Sequence, residues 1–239
     1  MSIKSRKVGI IGVGNVGSHV AFSIVTRGIC DELVLIDIKE DKVKSEMLDL
    51  KDSLANLDSN MIIKSQDYSE LKDAEILVIA AGPLPRFEQT RLDTLDDGVK
   101  IIDNIMPKVL QSGFDGIILV ITNPCDVISH YVWKKSGFPK NRVIGTGTSL
   151  DSARFKRIMS DIMNIDPKSI QGYSLGEHGD SQMIPWSHMY IGGRPFLEYR
   201  KNKEELKDLD LDKILKETSY AGWEVLLGKG ATCFGIGTA

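Results

Sequence analysis

KVGIIGVGNVG, residues 7–17, decides how the rest of the chain is read. Its apolar run ends at Gly12, and Gly14 and Gly17 complete a G-x-G-x-x-G spacing. In a strand-loop-helix unit each glycine has its own task. Gly12 permits a tight turn, Gly14 lets bare backbone approach a ligand, and Gly17 lets the helix pack closely. A helix opening at Asn15 and Val16 then turns its free N–H groups and positive dipole end toward a pyrophosphate. Glycine-rich turns are common, so the register of the downstream residues matters. Val16, Val20 and Ile24 mark a helix face that stops at Gly28, and a second apolar run, ELVLID at 32–37, ends in Asp37. Asp37 lies 20 residues after Gly17, where this fingerprint places the carboxylate that grips the ribose hydroxyls. A carboxylate there repels a 2′-phosphate, which favours NAD over NADP.

Working outward, apolar strands alternate with helical patterns: strand-like runs at 61–63, 75–80 and 116–121, and helix faces at 43–54 and 95–109, the latter holding Pro107 as an expected kink. Near-continuous apolar strands of this kind predict a doubly wound parallel sheet covered on both faces, with ligands at the strand carboxyl ends. Those ends carry Ala81 and Gly82 after one strand and Thr122, Asn123 and Pro124 after another. A short strand at 143–144 closes a first domain, 1–145. The second, 146–239, is expected to be α+β: a helix at 150–165, a strand at 170–175, a hairpin across Gly192-Gly193, a charged surface segment at 200–213, an amphipathic helix from 211, and one more helix beginning near 231.

Composition narrows the partners. A net charge of -3 gives no basic excess for nucleic acid, and no apolar run approaches a membrane span. The amino-terminal MSIKSRK leads straight into a strand, unlike a signal peptide, so the expected location is the cytoplasm. Cys30, Cys125 and Cys233 are odd in number, widely spaced and without a C-x-x-C pair, which argues against a disulfide framework and a structural zinc site; reduced thiols are expected. The partner expected is a small molecule.

The residues suited to chemistry lie mostly in the second half. GEHGDS at 176–181 holds His178 between two glycines on a sparsely covered turn, a setting for proton transfer. The other three histidines, His19, His130 and His188, fall in ordinary helix or strand patterns. Asp151 and Arg154 stand three apart on one helix face, where the acid can orient a histidine and favour its charged form and the arginine can hold a carboxylate by two parallel hydrogen bonds. Arg91 belongs to a proline-containing loop, 82–92, between a ligand-edge strand end and a helix, the position of a lid.

GIIGVGNVG, the ITNPCDV segment from Ile121, GTGTSLDSAR from Gly145 and GEHGDS from Gly176 together resemble the L-lactate and malate dehydrogenase family. The L-2-hydroxyisocaproate branch is particularly similar, through NVG, SGFxGIxLVITNP, GFPxxRVIGTGTxLDxAR and GYxLGEHGxSQ. The likeness runs from Val8 to about Thr238. It implies a Rossmann sheet that binds NAD through Gly12, Gly14, Asn15, Val16, Gly17, Asp37, Ala81, Gly82 and Asn123, followed by an α+β catalytic domain. It also implies that His178 is the acid/base, Asp151 its partner and Arg91 the lid residue that polarises the carbonyl. Arg154 would clamp the substrate carboxylate, Asn123 would hydrogen-bond at the reacting centre, and Thr232 would line the substrate pocket. The implied reaction interconverts an L-2-hydroxy acid and its 2-oxo acid, in a homodimer or homotetramer. Malate dehydrogenase is the alternative activity, and an inactive nucleotide-binding fragment the alternative of another kind.

Three departures from the family qualify these expectations. Pro85 stands on the lid where lactate enzymes carry Gln and malate enzymes Arg, which leaves specificity open between apolar acids, from pyruvate to 2-oxoisocaproate, and oxaloacetate, since Arg86 is one residue away. An apolar pocket rejects a carboxylate side chain because burying an unpaired charge is very costly. Lys156 and Gln171 replace the Arg and His of enzymes activated by fructose-1,6-bisphosphate, so strong sugar-phosphate activation is not expected. Family members also continue beyond the position matching Ala239, which makes the catalytic domain incomplete by comparison and predicts an uncovered apolar surface that favours instability or association.

Overall fold

A computed structural model of the chain describes residues 5–83 and 94–239. Two compact units emerge, Met1–Thr146 with Ile236–Thr238, and Gly147–Gly235 with Ala239.

In the first unit six strands form one parallel sheet: β1 (Lys7–Ile11), β2 (Glu32–Ile36), β3 (Ile62–Ser65), β4 (Ile76–Ile79), β5 (Ile117–Val120) and β6 (Val143–Gly145). Their order is β3-β2-β1-β4-β5-β6. The order reverses between β1 and β4, which opens a crevice at the carboxyl ends of these two strands. Helices α1 (Asn15–Arg27), α2 (Glu40–Leu54), α3 (Leu95–Gln111) and α4 (Cys125–Ser136) connect the strands.

Successive strand residues enter opposite cores, as a period of two demands when both faces are covered. Ile10, Leu33 and Leu35 pack with Val20, Ile24, Val43 and Leu50. Their neighbours Ile11, Val34 and Ile36 pack with Ile102, Met106, Val109 and Ile128. Each fully buried aliphatic side chain contributes about 1.5–3 kcal/mol against its exposed state, so a one-residue slip of β2 would forfeit several such burials at once. Helix α1 ends at Gly28, as the sequence pattern predicts, and the φ of 59° there is the left-handed cap conformation. Pro107 lies inside α3, which runs on to Gln111.

The second unit joins α5 (Ser149–Met163) to a small antiparallel sheet of β7 (Ile170–Gln171), β8 (Tyr190–Ile191) and β9 (Arg194–Pro195), followed by α6 (Phe196–Lys201), α7 (Glu204–Lys207) and α8 (Leu211–Lys229). Gly192 and Gly193 turn the β8-β9 hairpin with φ of 54° and 81°, the positive pair that a two-residue connection of right-twisted strands requires. Phe155, Met159, Ile170, Ile184, Met189, Phe196 and Ile214 form its core.

Three segments differ from the sequence reading. The strand expected over 170–175 is only two residues long, because the chain then leaves the sheet and Leu175 pairs instead with Met183 in an isolated bridge. The charged stretch from Arg200 is more than solvated surface: the Arg200 guanidinium donates to the carbonyls of Leu206, Lys207 and Leu209 at 2.8–2.9 Å and so folds 200–209 into a compact corner over buried Leu206. The segment after Gly230 is a turn at 234–238 instead of a new helix. Gly230, at a φ of 81°, caps α8 through its N–H to Leu226 O and redirects the chain.

Candidate active site

Ligand-binding features of the first unit gather at the carboxyl ends of β1, β2, β4 and β5. Gly12 has a φ of 95°, and a Cβ there would lie 2.4 Å from the backbone nitrogen of Ala81. A Cβ on Gly17 would lie 1.8 Å from Gly12 O. Both positions therefore admit only glycine, and the loop cannot relax around a larger residue. Gly14 is different, because among the described residues a Cβ there meets nothing within 4 Å. It is the N-cap of α1, and among the described residues no side chain caps that helix end. Space beside an N-cap that no described side chain fills is what a pyrophosphate needs, and the described residues therefore fit a dinucleotide. Asn15 and Val16 form the first turn of α1.

Asp37 follows β2, and its carboxylate does something the motif alone does not announce. Oδ2 accepts from the Val13 N–H at 2.7 Å and Oδ1 from the Lys39 N–H at 3.1 Å. The acid thus ties the glycine loop to the end of the neighbouring strand. At the ends of β4 and β5, the Thr122 hydroxyl donates to Ala81 O at 2.9 Å, and a Cβ on Gly82 would lie 2.5 Å from Thr122 Cγ2. Asn123 comes next, exposed and preceding a cis bond to Pro124. Pro85 and Arg91 lie outside the described residues.

The second unit brings together His178, Asp151 and Arg154. Asp151 and Arg154 lie in the first two turns of α5, and His178 sits on the loop between Leu175 and Met183. His178 Nδ1 donates to Asp151 Oδ2 at 2.5 Å, and Arg154 Nη1 donates to Asp151 Oδ1 at 3.1 Å. Asp151 is 1% exposed, so this carboxylate is held by partners instead of water. Burial pushes its carboxyl up, but the hydrogen bond and charge of His178, with Arg154 behind them, outweigh that and hold it below the usual carboxylate range. An ionised acid on Nδ1 fixes the orientation of the ring.

Gly222 of α8 lies against the Arg154 guanidinium, where a Cβ would stand 3.1 Å from both Nη1 and Nη2. The sequence carries one hint of this, an isolated glycine inside a helical pattern. Thr232 is half-buried just beyond α8.

A parallel six-stranded sheet with a glycine loop at its switch point, together with a histidine paired to a buried aspartate in a second unit, defines the class: a nucleotide-dependent dehydrogenase. The chain belongs to the lactate/malate dehydrogenase family. Residues 6–145 match the NAD binding domain of that family and 148–239 its alpha/beta C-terminal domain. L-lactate dehydrogenase 3 of Bacillus cereus is 48% identical over the whole chain, which covers 76% of that protein. L-lactate dehydrogenase of Fusobacterium nucleatum is 45% identical over 98% of the chain and 74% of its own length. Among solved structures, the minor L-lactate dehydrogenase of Enterococcus mundtii in its ligands-bound form superposes with a TM-score of 0.94 at 40% identity, covering 98% of this chain and 75% of that one. The chain thus spans about three quarters of the length of these relatives.

Proposed function

We propose that the chain interconverts L-lactate and pyruvate with NAD, and that His178 is the acid/base of the reaction. The observation that carries the reading is the 2.5 Å contact from His178 Nδ1 to buried Asp151, on the same helix turn that presents Arg154. NADH, when bound, supplies a hydride to the carbonyl carbon of the 2-oxo acid. His178 Nε2 gives the proton to the carbonyl oxygen, and Asp151 stabilises the imidazolium before the transfer. Arg154 grips the substrate carboxylate, for which its planar fork of donors is shaped. Arg91 polarises the carbonyl in the family likeness, Asn123 hydrogen-bonds at the reacting centre, and Thr232 and Pro85 shape the side-chain pocket.

Cofactor binding falls to the first domain, 1–145, through Gly12, Gly14, Asn15, Val16, Gly17, Asp37, Ala81, Gly82 and Asn123. Substrate binding falls to the second, 146–239. Family membership supports a homodimer or homotetramer, and the cytoplasm is its expected location. Among the described residues no helix is long and apolar enough to cross a membrane.

Relatives named as L-lactate dehydrogenases favour lactate over malate. Pro85 supports extension toward larger apolar acids such as 2-oxoisocaproate. The deciding assay compares kcat/KM for pyruvate, 2-oxoisocaproate and oxaloacetate in NADH oxidation. The reading requires pyruvate or 2-oxoisocaproate to lead, and a clear preference for oxaloacetate would overturn it.

A further inference from the structure

Ser174 and Gln182 are almost wholly buried, at 1% and 4% exposure, and neither belongs to the chemistry described above. Their hydrogen bonds run in one chain. The Ser152 hydroxyl accepts from the Ser174 N–H at 3.0 Å. The Ser174 hydroxyl donates to Gln182 Oε1 at 2.6 Å, and Gln182 Nε2 donates to Gly179 O at 2.9 Å. Thr148 Oγ1 adds a bond to Ser174 O at 2.6 Å. The two ends of this chain are significant. Ser152 follows Asp151 on α5, and Gly179 follows His178 on its loop.

We propose that Ser174 and Gln182 are positioning residues that set His178 against Asp151. The 176–182 loop is closed at its neck by the paired N–H and carbonyl groups of Leu175 and Met183 at 2.8 and 2.9 Å. Above that neck, Gln182 ties Gly179 O to Ser174, and Ser174 is in turn anchored to α5. Both ends of the Gln182 amide are used in the sense their chemistry requires, carbonyl accepting and NH2 donating. Removing either side chain leaves a buried partner unmet and frees the segment carrying His178 to move relative to Asp151. Displacement of a catalytic group by about 1 Å costs on the order of 100-fold in rate, so a looser loop lowers kcat while the carboxylate grip of Arg154 is kept.

The inference rests on the acid/base assignment of His178, and His178→Asn is measured alongside to separate the two. Gln182→Met keeps the shape of the side chain and removes both bonds. It is expected to lower kcat for pyruvate by about tenfold, with pyruvate KM and NADH Kd within about twofold of the parent. Ser174→Ala should do the same, the double variant should be no worse than either single one because the bonds act in series, and Ser174→Thr, which keeps the hydroxyl, should recover most of the loss. Ser136→Ala, which removes a buried hydroxyl from the first unit, serves as the comparison, with lowered Tm and unchanged kcat. An unchanged kcat in Gln182→Met and Ser174→Ala despite lowered Tm would reduce the network to a structural role and overturn the inference, as would a raised KM at constant kcat. If Gln182→Met does not fold, the Ser174→Ala and Ser174→Thr pair decides. Retained turnover in His178→Asn would instead remove the assignment on which the inference stands.

Discussion

His178 Nδ1 and Asp151 Oδ2 meet at 2.5 Å although 27 residues separate them in sequence. The contact holds the ring against a carboxylate that is almost wholly buried. Asp151→Asn should lower kcat by about 100-fold or more, because an amide neither stabilises imidazolium nor fixes the required tautomer. Steady-state kinetics with pyruvate checks this, and a loss below about threefold would contradict the pairing as catalytic.

The same carboxylate makes stability depend on pH. Its folded-state pKa is depressed, so its contribution is complete above the ordinary carboxylate value of about 4 and is lost as pH falls through the lower folded value. The Tm difference between the parent and Asp151→Asn should therefore be constant between about pH 5 and 6 and shrink in more acidic solution. A difference that widens on acidification would contradict a depressed folded-state pKa.

Arg154→Lys should raise pyruvate KM by about 100-fold, since a point charge replaces a two-pronged grip. NADH binding, followed by fluorescence, should stay within about twofold of the parent. An equal loss of both would place Arg154 in general stability instead of substrate binding.

Gly222→Ala separates stability from function. Alanine is the better helix former by about 1 kcal/mol, so α8 should be no less stable. Its Cβ, however, would press within 3.1 Å of the Arg154 guanidinium. The expected result is a Tm at or above the parent's with pyruvate KM raised about fivefold; unchanged KM would mean the arginine gives way without consequence.

Cys30 is buried, and burial with the neighbouring Asp31 charge pushes its thiol up to about 11, against an opposing effect of Arg6. The thiolate is the reactive form. In native protein at about pH 8, iodoacetamide should leave Cys30 unlabelled, and labelling should appear only after unfolding, as read by mass spectrometry. Rapid native labelling would contradict its burial.

Much of this architecture is legible in the sequence because local chemistry and global fold agree. Gly12, Gly17 and Asp37 lie in one short segment whose spacing is set by a strand, a turn and a helix, and that pattern survives without tertiary information. The strands of the first unit also announce themselves, because burial on both faces makes them continuously apolar. Asp151 and Arg154 can be paired by helical spacing, and the presentation of His178 follows from its flanking glycines. The Val13 bond of Asp37, the Arg200 corner, the Ser174–Gln182 chain and the Gly222 approach cannot be read this way. Each joins residues with no shared period, and only the folded path brings them into contact. The tail after Gly230 departs from its pattern because its apolar residues fit a helical period that a left-handed glycine cap overrides.

Proton transfer by His178 in an NAD-dependent reduction of pyruvate is the central step of the proposed reaction. Its most direct test is NADH oxidation by His178→Asn at saturating pyruvate, with NADH affinity measured on the same preparation. Turnover should fall by about 1,000-fold or more with NADH Kd within about twofold of the parent. Turnover near that of the parent would contradict the assignment.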